Sequence, residues 1–324
     1  MNDIKLVVKC ANGSEQDIST HTIDGITLES VRKGAPAVLK FSVIKGPLMN
    51  FTEGANCKLT VNGTGVFSGY IFTKERNKEQ IITCTAYDQL RYLKNKDTYV
   101  YTNKSASDVI RMVAKDFGLE LGEIADTGYK IPLRDEDNQT LFDIILNALD
   151  LTQDATGKVF VLYDDFGKIT LKNIEDMKHT AMIDSETAEN FNYSTSIDKD
   201  TYNRVLIQQE NDKEGKRDMY VAQDGGNVQK WGYLQYFMSV QKGVNAQSLA
   251  NTILKAKNRK TSSLQIKGFH WSKDLIRAGN SLPVSMDLGD NVLSNEMLLC
   301  ERVTTTFKAD TITLDIEFFN LKGQ

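Results

Sequence analysis

Residues 65–88 read GVFSGYIFTKERNKEQIITCTAYD, two apolar runs joined by a charged connector. Each run has the length and composition of a β-strand, and the connector at residues 74–80 is interpreted as the solvated tip of a hairpin. The second run ends on Tyr87 and Asp88, directly before the segment QLRYLKNK. We therefore expect the chain to leave a sheet at this pair, with Asp88 accepting hydrogen bonds from the backbone N–H groups of the turn that follows.

The hairpin lies in a region where apolar and polar residues alternate. Apolar residues recur at every second position in residues 37–43 and again in residues 57–61, which is typical of strands with one buried face. Turn signals such as Asn12-Gly13 and Asn62-Gly63 separate the runs. Short strands at this regular spacing indicate a sandwich or a barrel in about the first hundred residues.

The middle of the chain changes to a helical period. Residues 105–119 place apolar side chains on one helical face, and Ser105 with Asp108 three positions later forms a capping box. A second helix is predicted to begin at Thr140, and two short strands around the sequence DDFG follow it. This part reads as a small α+β domain. The tripeptide DFG also occurs in protein kinases, but the other kinase motifs are absent from this sequence. Its glycine is therefore interpreted as part of a hairpin turn.

The last 150 or so residues return to strands, with one helix predicted near residues 246–258. The strands are predicted at residues 205–208, 233–240, 264–269, 282–286, 297–307 and 311–319. Residues 70–88 and 301–319 each pair two long strands through a polar connector. This echo is compatible with duplication of one β-domain and equally with coincidence between two hairpins.

Composition and motifs argue against most enzyme classes. The 324 residues, 40% of them hydrophobic and 25% charged, suit two or three globular domains, and the net charge of −4 argues against a protein that mainly grips phosphates. The four cysteines are too far apart for a disulfide framework or a zinc cluster. Neither a signal peptide nor a membrane anchor is indicated. We predict no catalytic, cofactor-binding or metal-binding residues.

Three other features were weighed as sites. Gly225-Gly226 is placed in a polar loop rather than between a strand and a helix, so it is not a phosphate cradle. The acidic residues 134–138 lack the glycine and glutamate of a calcium loop and are interpreted as a solvated approach to the next helix. Residues 231–237, beginning with Trp231-Gly232, are the densest aromatic stretch. They favour core packing or a subunit contact over a sugar-binding platform.

Several segments together resemble a known family. These are FSGYI at residues 67–71, CTAYDQLRYL at 84–93, ASDVI at 106–110, DTG at 126–128, YDDFGKI at 163–169 and WGYLQ at 231–235. The chain resembles the XkdQ/YqbQ-type tail proteins of contractile phages and defective prophages. These are similar to the baseplate hub and to the N-terminal part of type VI secretion spike proteins.

The resemblance implies a mainly β fold with two related β-barrels and an α/β insertion. We assign residues 1–97 to the first barrel, 98–177 to the insertion and 178–324 to the second barrel with its one helix. It also implies a homotrimer whose six barrels form a pseudo-hexameric ring joining the tail tube to the central spike and other baseplate proteins. DNA or a tape-measure protein would pass through the lumen without specific binding. The protein would be made in the bacterial cytoplasm and incorporated into a virion or a headless, bacteriocin-like particle.

Two other functions stay open at this point. A carbohydrate-binding receptor module at a tail tip would use an exposed aromatic platform, with Trp231 as the residue to test. A cell-wall hydrolase would need a nucleophile or metal set that the sequence does not display. The residues singled out as structural candidates are Tyr87, Asp88, Trp231 and Gly232.

Overall fold

The computed structural model describes residues 2–46, 49–211, 216–241, 243–271, 273–319 and 321. About half of them lie in β-strands, and the chain divides into two compact units. The first unit comprises Met1–Phe191 and Gln265–Phe318, and the second comprises Asn192–Leu264 and Phe319–Gln324. The predicted fold class, mainly β with an α/β insertion, is confirmed.

The strands and helices follow one another along the chain in an order that begins and ends with β-structure. The strands are β1 (Ile4–Lys9), β2 (Glu15–Asp17), β3 (Thr22–Val31), β4 (Val38–Ile44), β5 (Asn56–Val61), β6 (Thr64–Arg76), β7 (Ile81–Tyr87), β8 (Lys96–Lys104), β9 (Leu121–Ile124), β10 (Ile131–Thr140), β11 (Phe160–Asp164), β12 (Ile169–Asn173), β13 (Ile183–Asp184), β14 (Asn190–Ser196), β15 (Arg204–Asn211), β16 (Lys216–Gln223), β17 (Gln235–Val240), β18 (Thr261–His270), β19 (Ser281–Asp287), β20 (Val292–Phe307) and β21 (Ile312–Phe319). The α-helices are α1 (Ala106–Asp116), α2 (Leu141–Thr156), α3 (Gly225–Trp231) and α4 (Ala246–Lys257).

One large antiparallel sheet organises the first unit. Nine of its strands run in the order β21, β20, β3, β4, β7, β6, β5, β1, β2. The long strand β20 pairs with β19 over its first half and with both β3 and β21 over its second half. The hairpins predicted near the start and the end of the chain, β6–β7 and β20–β21, therefore belong to the same sheet.

Alternating burial explains why these segments are strands. In β4 the side chains of Leu39, Phe41 and Val43 are buried, while their neighbours are partly or fully exposed. In β21 every second residue from Ile312 to Phe318 is buried, as the sequence predicted. Burying one such side chain stabilises the fold by roughly 1.5–3 kcal/mol. A shift of one residue in strand register would turn all of these side chains to the solvent face and remove that stabilisation.

The insertion is built from a two-stranded ribbon, a three-stranded sheet and two helices that share one apolar core. Strands β8 and β10 form the ribbon, and the order of the sheet is β11, β12, β9. Both helices begin as predicted: Ser105 and Asp108 form a capping box on α1, and Thr140 caps α2. Gly157 ends α2 in the left-handed conformation, with φ of 72°.

The second unit has a smaller core. Its sheet has the order β16, β15, β17, and α4 packs on one face of it. The buried residues of this core are Val205, Ile207, Ala222, Ala246 and Ala250. The predicted helix at residues 246–258 is confirmed, with Asn245 as its N-cap.

Three sequence-based interpretations are wrong. Gly225-Gly226 follows β16 and opens α3, so two α-helices, rather than one, lie among the described residues after position 178. Strand β16 went unrecognised because its inward side chains, among them Ala222, are small or only partly buried. Residues 134–138 belong to β10, and residues 134–136 pair with β8. Their interpretation as solvated is wrong for Glu136, which is buried, whereas Asp135, Asp137 and Asn138 are exposed.

Candidate functional site

The hairpin β6–β7 ends where its backbone is most crowded. Tyr70 pairs with Tyr87 across the two strands. A Cβ atom at Gly69 would overlap the carbonyl oxygen of Tyr87, so only glycine lets the strands approach this closely. A Cβ atom at Gly65 would lie 2.6 Å from the ring of Phe166, which places the tip of the β11–β12 turn against β6.

Tyr87 belongs to an aromatic cluster at this end of the hairpin. Its ring meets that of Phe72 edge to face, with centroids 5.4 Å apart, and Tyr92 lies 6.2 Å from Phe72. The guanidinium of Arg91 lies 5.3 Å from the centroid of Phe72. Edge-to-face and cation–π contacts of this kind stabilise by about 0.5–1.5 kcal/mol each. The half-buried Tyr87 is thus a packing residue of the strand end.

Asp88 is buried and anchors two parts of the backbone at once. Its Oδ1 accepts a hydrogen bond from the N–H of Leu90 (3.0 Å), and it is the N-cap of the 3₁₀-helix Gln89–Lys94. Its Oδ2 accepts one from the N–H of Ala37 (2.9 Å), directly before β4. The cap agrees with the sequence prediction, while the bond to Ala37 shows that Asp88 also holds the neighbouring strand.

The next residue, Gln89, ties the end of the sheet to the insertion. Its side-chain amide donates to the carbonyl oxygens of Glu120 (3.0 Å) and Gly167 (2.7 Å), and its Oε1 accepts from the N–H of Glu120 (3.0 Å). The leucines of the same 3₁₀-helix, Leu90 and Leu93, are buried in the core of the insertion. The chain therefore enters that core immediately after leaving β7.

A second aspartate, Asp164, lies beside Asp88. Its Oδ1 accepts from the N–H of Gly167 (2.6 Å), whereas its Oδ2 is buried without a hydrogen-bond partner. Arg277 donates from Nη1 to the backbone carbonyl oxygen of Asp164 (3.0 Å) and lies 3.3 Å through Nη2 from the carboxylate of Asp165. A small cavity of about 40 Å³, enough for one or a few water molecules, is lined by Asp88, Asp164 and Arg277 among others.

The pKa values of both carboxyls are raised. Burial raises the pKa of Asp88 well above its ordinary value of 3.8, the neighbouring Asp164 raises it further, and the two backbone hydrogen bonds oppose this. Burial likewise raises the pKa of Asp164 to about 6, against the hydrogen bond from the Gly167 N–H, the Gln89 amide and the charge of Arg277. We call Asp88, Gln89, Asp164 and Arg277 the junction cluster.

Other reactive side chains in the described part of the chain are poorly placed for chemistry. The four cysteines are free and buried, as expected. Burial raises the pKa of Cys84 to about 12 and those of Cys57 and Cys300 further, so these thiols are inert at neutral pH. Among the described residues no three histidine, cysteine or acidic side chains are grouped so that they could hold a metal ion. Nor does any helix in the described ranges have the length and apolarity to cross a membrane.

The structure places Trp231 and Gly232 at the end of α3, far from a core position. Trp231 is half-buried, and Gly232 has φ of 74° and accepts a hydrogen bond from the side chain of Asn203 (2.7 Å). Tyr233 is 64% exposed and Phe237 is 52% exposed. Core packing is therefore wrong for these two rings, although Tyr236 of the same stretch packs on the core of the second unit.

Sequence reasoning found Asp88 but missed the rest of the junction cluster. Asp164 was seen only as part of a turn, and Arg277 carried no local signal because its partners lie more than a hundred residues away. The turn itself was predicted correctly: Phe166 and Gly167 have φ of 50° and 90°.

Comparisons with known proteins agree with this fold. A family profile described as YQBQ-like matches residues 26–319. The chain is 34% identical over 235 residues to the uncharacterized protein YqbQ of Bacillus subtilis and 33% identical over 235 residues to the phage-like element PBSX protein XkdQ of the same organism. Each match covers 70% of this chain and 70% of the relative. The fold is similar to the 43 kDa tail protein of prophage MuSo2 from Shewanella oneidensis, with a TM-score of 0.71, 14% identity, and coverage of 97% of this chain and 98% of that one.

Proposed function

The chain belongs to the YQBQ-like family, and from this premise we propose that it is a structural protein of a phage-type tail, namely the baseplate hub that joins the tail tube to the central spike. The observation that carries the proposal is the extent of the likeness. The family profile spans residues 26–319, and the fold similarity to a prophage tail protein covers 97% of this chain. Both β-rich regions and the insertion are therefore included in what is shared.

The nature of the site supports a structural role. The polar groups of the junction cluster mostly bind backbone atoms of neighbouring elements instead of facing an open cleft. Such bonds hold elements in fixed positions, which suits a part that transmits force between a tube and a spike. We propose accordingly that the protein is not an enzyme.

We further propose a homotrimer in which two related β-barrels per chain, at residues 1–97 and 178–324, form a pseudo-hexameric ring, with residues 98–177 as the insertion. A symmetric ring uses up sheet edges in subunit contacts, which otherwise invite aggregation. Its partners would be the tail tube protein, the central spike and other baseplate proteins, and its lumen would let DNA or a tape-measure protein pass. Synthesis in the bacterial cytoplasm and incorporation into a virion or tail-like particle follow from this role.

The test is negative-stain electron microscopy of the purified protein, with class averages computed without imposed symmetry, together with a mass measurement by light scattering. A ring with a central hole, three-fold or pseudo-six-fold, at a mass of three chains is expected. Particles of one chain, both alone and after mixing with a tail tube protein, would contradict the hub.

A second candidate is a carbohydrate-binding module, favoured by the exposed rings of Tyr233 and Phe237 next to Trp231. Exposed aromatic faces stack on sugars, and a glycan array would reveal such binding. This candidate predicts that Trp231→Ala and Tyr233→Ala abolish a signal that Tyr129→Ala, a tyrosine of the insertion, leaves intact. A hub without sugar binding gives no signal with any of these proteins.

A further inference from the structure

Three elements of the first unit meet at the junction cluster. Asp88 stands where β7 ends, Asp164 stands at the end of β11 before the turn to β12, and Arg277 lies in the segment before β19. All three line the same small cavity. The cluster is therefore the point at which the insertion is fastened to the sheet.

The charges at this point do not balance when both buried carboxyls are ionised. Arg277 is the cation that faces the cluster, but its guanidinium lies on the backbone carbonyl of Asp164, on the carboxylate of Asp165 and 4.5 Å from the ring centroid of Tyr163. Gln89, from the 3₁₀-helix, and Ser30, from β3, contribute only neutral groups to the cluster and its cavity. Asp165 pairs with the same guanidinium, so Arg277 supplies one positive charge beside three carboxyl groups, those of Asp88, Asp164 and Asp165.

The hydrogen bonds show where a proton would lie. Both oxygens of Asp88 accept backbone N–H groups, and Oδ1 of Asp164 accepts one as well. The remaining oxygen, Oδ2 of Asp164, is buried and accepts no hydrogen bond of normal geometry. The Gln89 amide lies near Asp164, but it donates to the carbonyl oxygens of Glu120 and Gly167. A buried carboxylate oxygen without a donor costs free energy, whereas the same oxygen carrying a proton becomes a donor to the neighbouring carboxylate or to a water in the cavity.

We propose that Asp88 and Asp164 hold one proton between them up to near-neutral pH, and that loss of this proton loosens the attachment of the insertion to the sheet. The junction is thus a pH-sensitive fastening within the chain. It concerns the single chain and does not depend on the ring or on any tail partner.

The direction of the effect follows from linkage. A carboxyl whose pKa is raised on folding holds its proton more tightly in the folded chain, so stability is greatest at low pH and decreases as the pH rises through the folded value. For Asp164 this window runs from its ordinary 3.8 to about 6, and the neighbouring Asp88 extends it upward. Half-buried carboxylates with lowered pKa values, such as Asp108, act in the opposite direction and at lower pH.

The experiment compares the melting temperature of the full-length protein at about pH 5 and about pH 8 with that of two variants. Asp164→Asn keeps an oxygen for the N–H of Gly167 and replaces the partnerless oxygen by a donor. Asp154→Asn removes an exposed carboxylate of α2 that lies outside the junction cluster and is the matched control. We expect the wild type and Asp154→Asn to melt about 3–8 °C lower at the higher pH, and Asp164→Asn to lose most of this difference.

A wild-type pH difference equal to that of Asp164→Asn would overturn the proposal. The second measurement is direct: infrared spectroscopy at about pH 5, below the pKa of about 6 of Asp164, detects the carbonyl band of a protonated carboxyl group, which is distinct from the bands of carboxylates. The band is expected to be stronger in the wild type and in Asp154→Asn than in Asp164→Asn. A band of equal strength in all three proteins would likewise overturn the shared proton.

Discussion

The two units of this chain differ in how their surfaces and cores are used. The first has a long antiparallel sheet whose alternate side chains are buried, and an insertion fastened to it by the junction cluster. The second has a three-stranded sheet covered by α4 on one face, while Met219, Val221 and Phe237 are exposed on its strands. The first unit exposes large apolar side chains as well, among them Val100, Leu133 and Val292. The contrast between the units is therefore one of core size, and of the cluster that fastens the insertion to the sheet of the first unit.

The largest effect should come from the core of the first unit. Phe318→Ala removes a ring that is 1% exposed, and we expect it to destabilise by about 3–5 kcal/mol. The matched change in the second unit, Ile207→Ala, removes a smaller side chain and should cost about 2–4 kcal/mol. Hydrogen exchange read by mass spectrometry reports the two units separately. Faster exchange confined to the unit that carries the substitution would support two separate cores. Equally faster exchange in both units would contradict this division.

A smaller effect is expected at the close approach of β6 and β7. Gly69→Ala places a Cβ against the carbonyl oxygen of Tyr87, a backbone atom that cannot yield, and should destabilise by about 1–3 kcal/mol. Gly225→Ala is the control in the second unit, because no atom lies within 4 Å of its added Cβ. At this helical position alanine should stabilise by a few tenths to about 1 kcal/mol. Urea denaturation of both variants measures the difference, and a shared sign would contradict the packing argument.

Loss of the N-cap residue Asp88 should lower the free energy of unfolding by less than Gly69→Ala does. Asp88→Ala removes two acceptors of backbone N–H groups but also a buried charge, so a net loss of roughly 1 kcal/mol is expected. Asp224→Ala removes the N-cap of α3 in the second unit and serves as the comparison, with a smaller loss expected. An unchanged melting curve for Asp88→Ala would remove the structural role assigned to this residue.

The smallest effect on stability is expected on the exposed face of the second unit. Phe237→Ser replaces a ring that is 52% exposed and should change the free energy of unfolding by less than about 0.5 kcal/mol. The same change should weaken any assembly that uses this face, which light scattering over a range of concentrations would detect. A large loss of stability in the isolated chain would mean that the ring belongs to the fold instead of the surface.

The strands, helices and caps could largely be predicted because they depend on neighbouring residues. Ser105 with Asp108, Thr140 before α2 and the alternation in β21 are local signals, and each led to the correct element. The resemblance to the XkdQ/YqbQ-type proteins, inferred from the same kind of short segments, is confirmed by the family match.

Features that depend on distant contacts were missed. Glu136 is buried because Arg134 and Asn147 both bind its carboxylate, and Asn147 belongs to the following helix. Asp164 and Arg277 meet only after the insertion folds back to the segment before β19. A single sequence does not show which distant residues contact each other. The charges of Asp164 and Arg277 could be read from it, but their partners could not.

The pairing of β3 with β20 has a consequence for how the protein is made. Arg32 and Glu301, which form an ion pair beside these strands, are 269 residues apart in the chain. At bacterial rates of about 5–20 residues per second, the edge of β3 waits roughly 15–50 s on the ribosome before its partner has been synthesised. During that interval the amino-terminal strands form a sheet with one unpaired edge, which attracts strands of other nascent chains. Translation speed and chaperone supply should therefore govern the yield of this protein more than its final stability does.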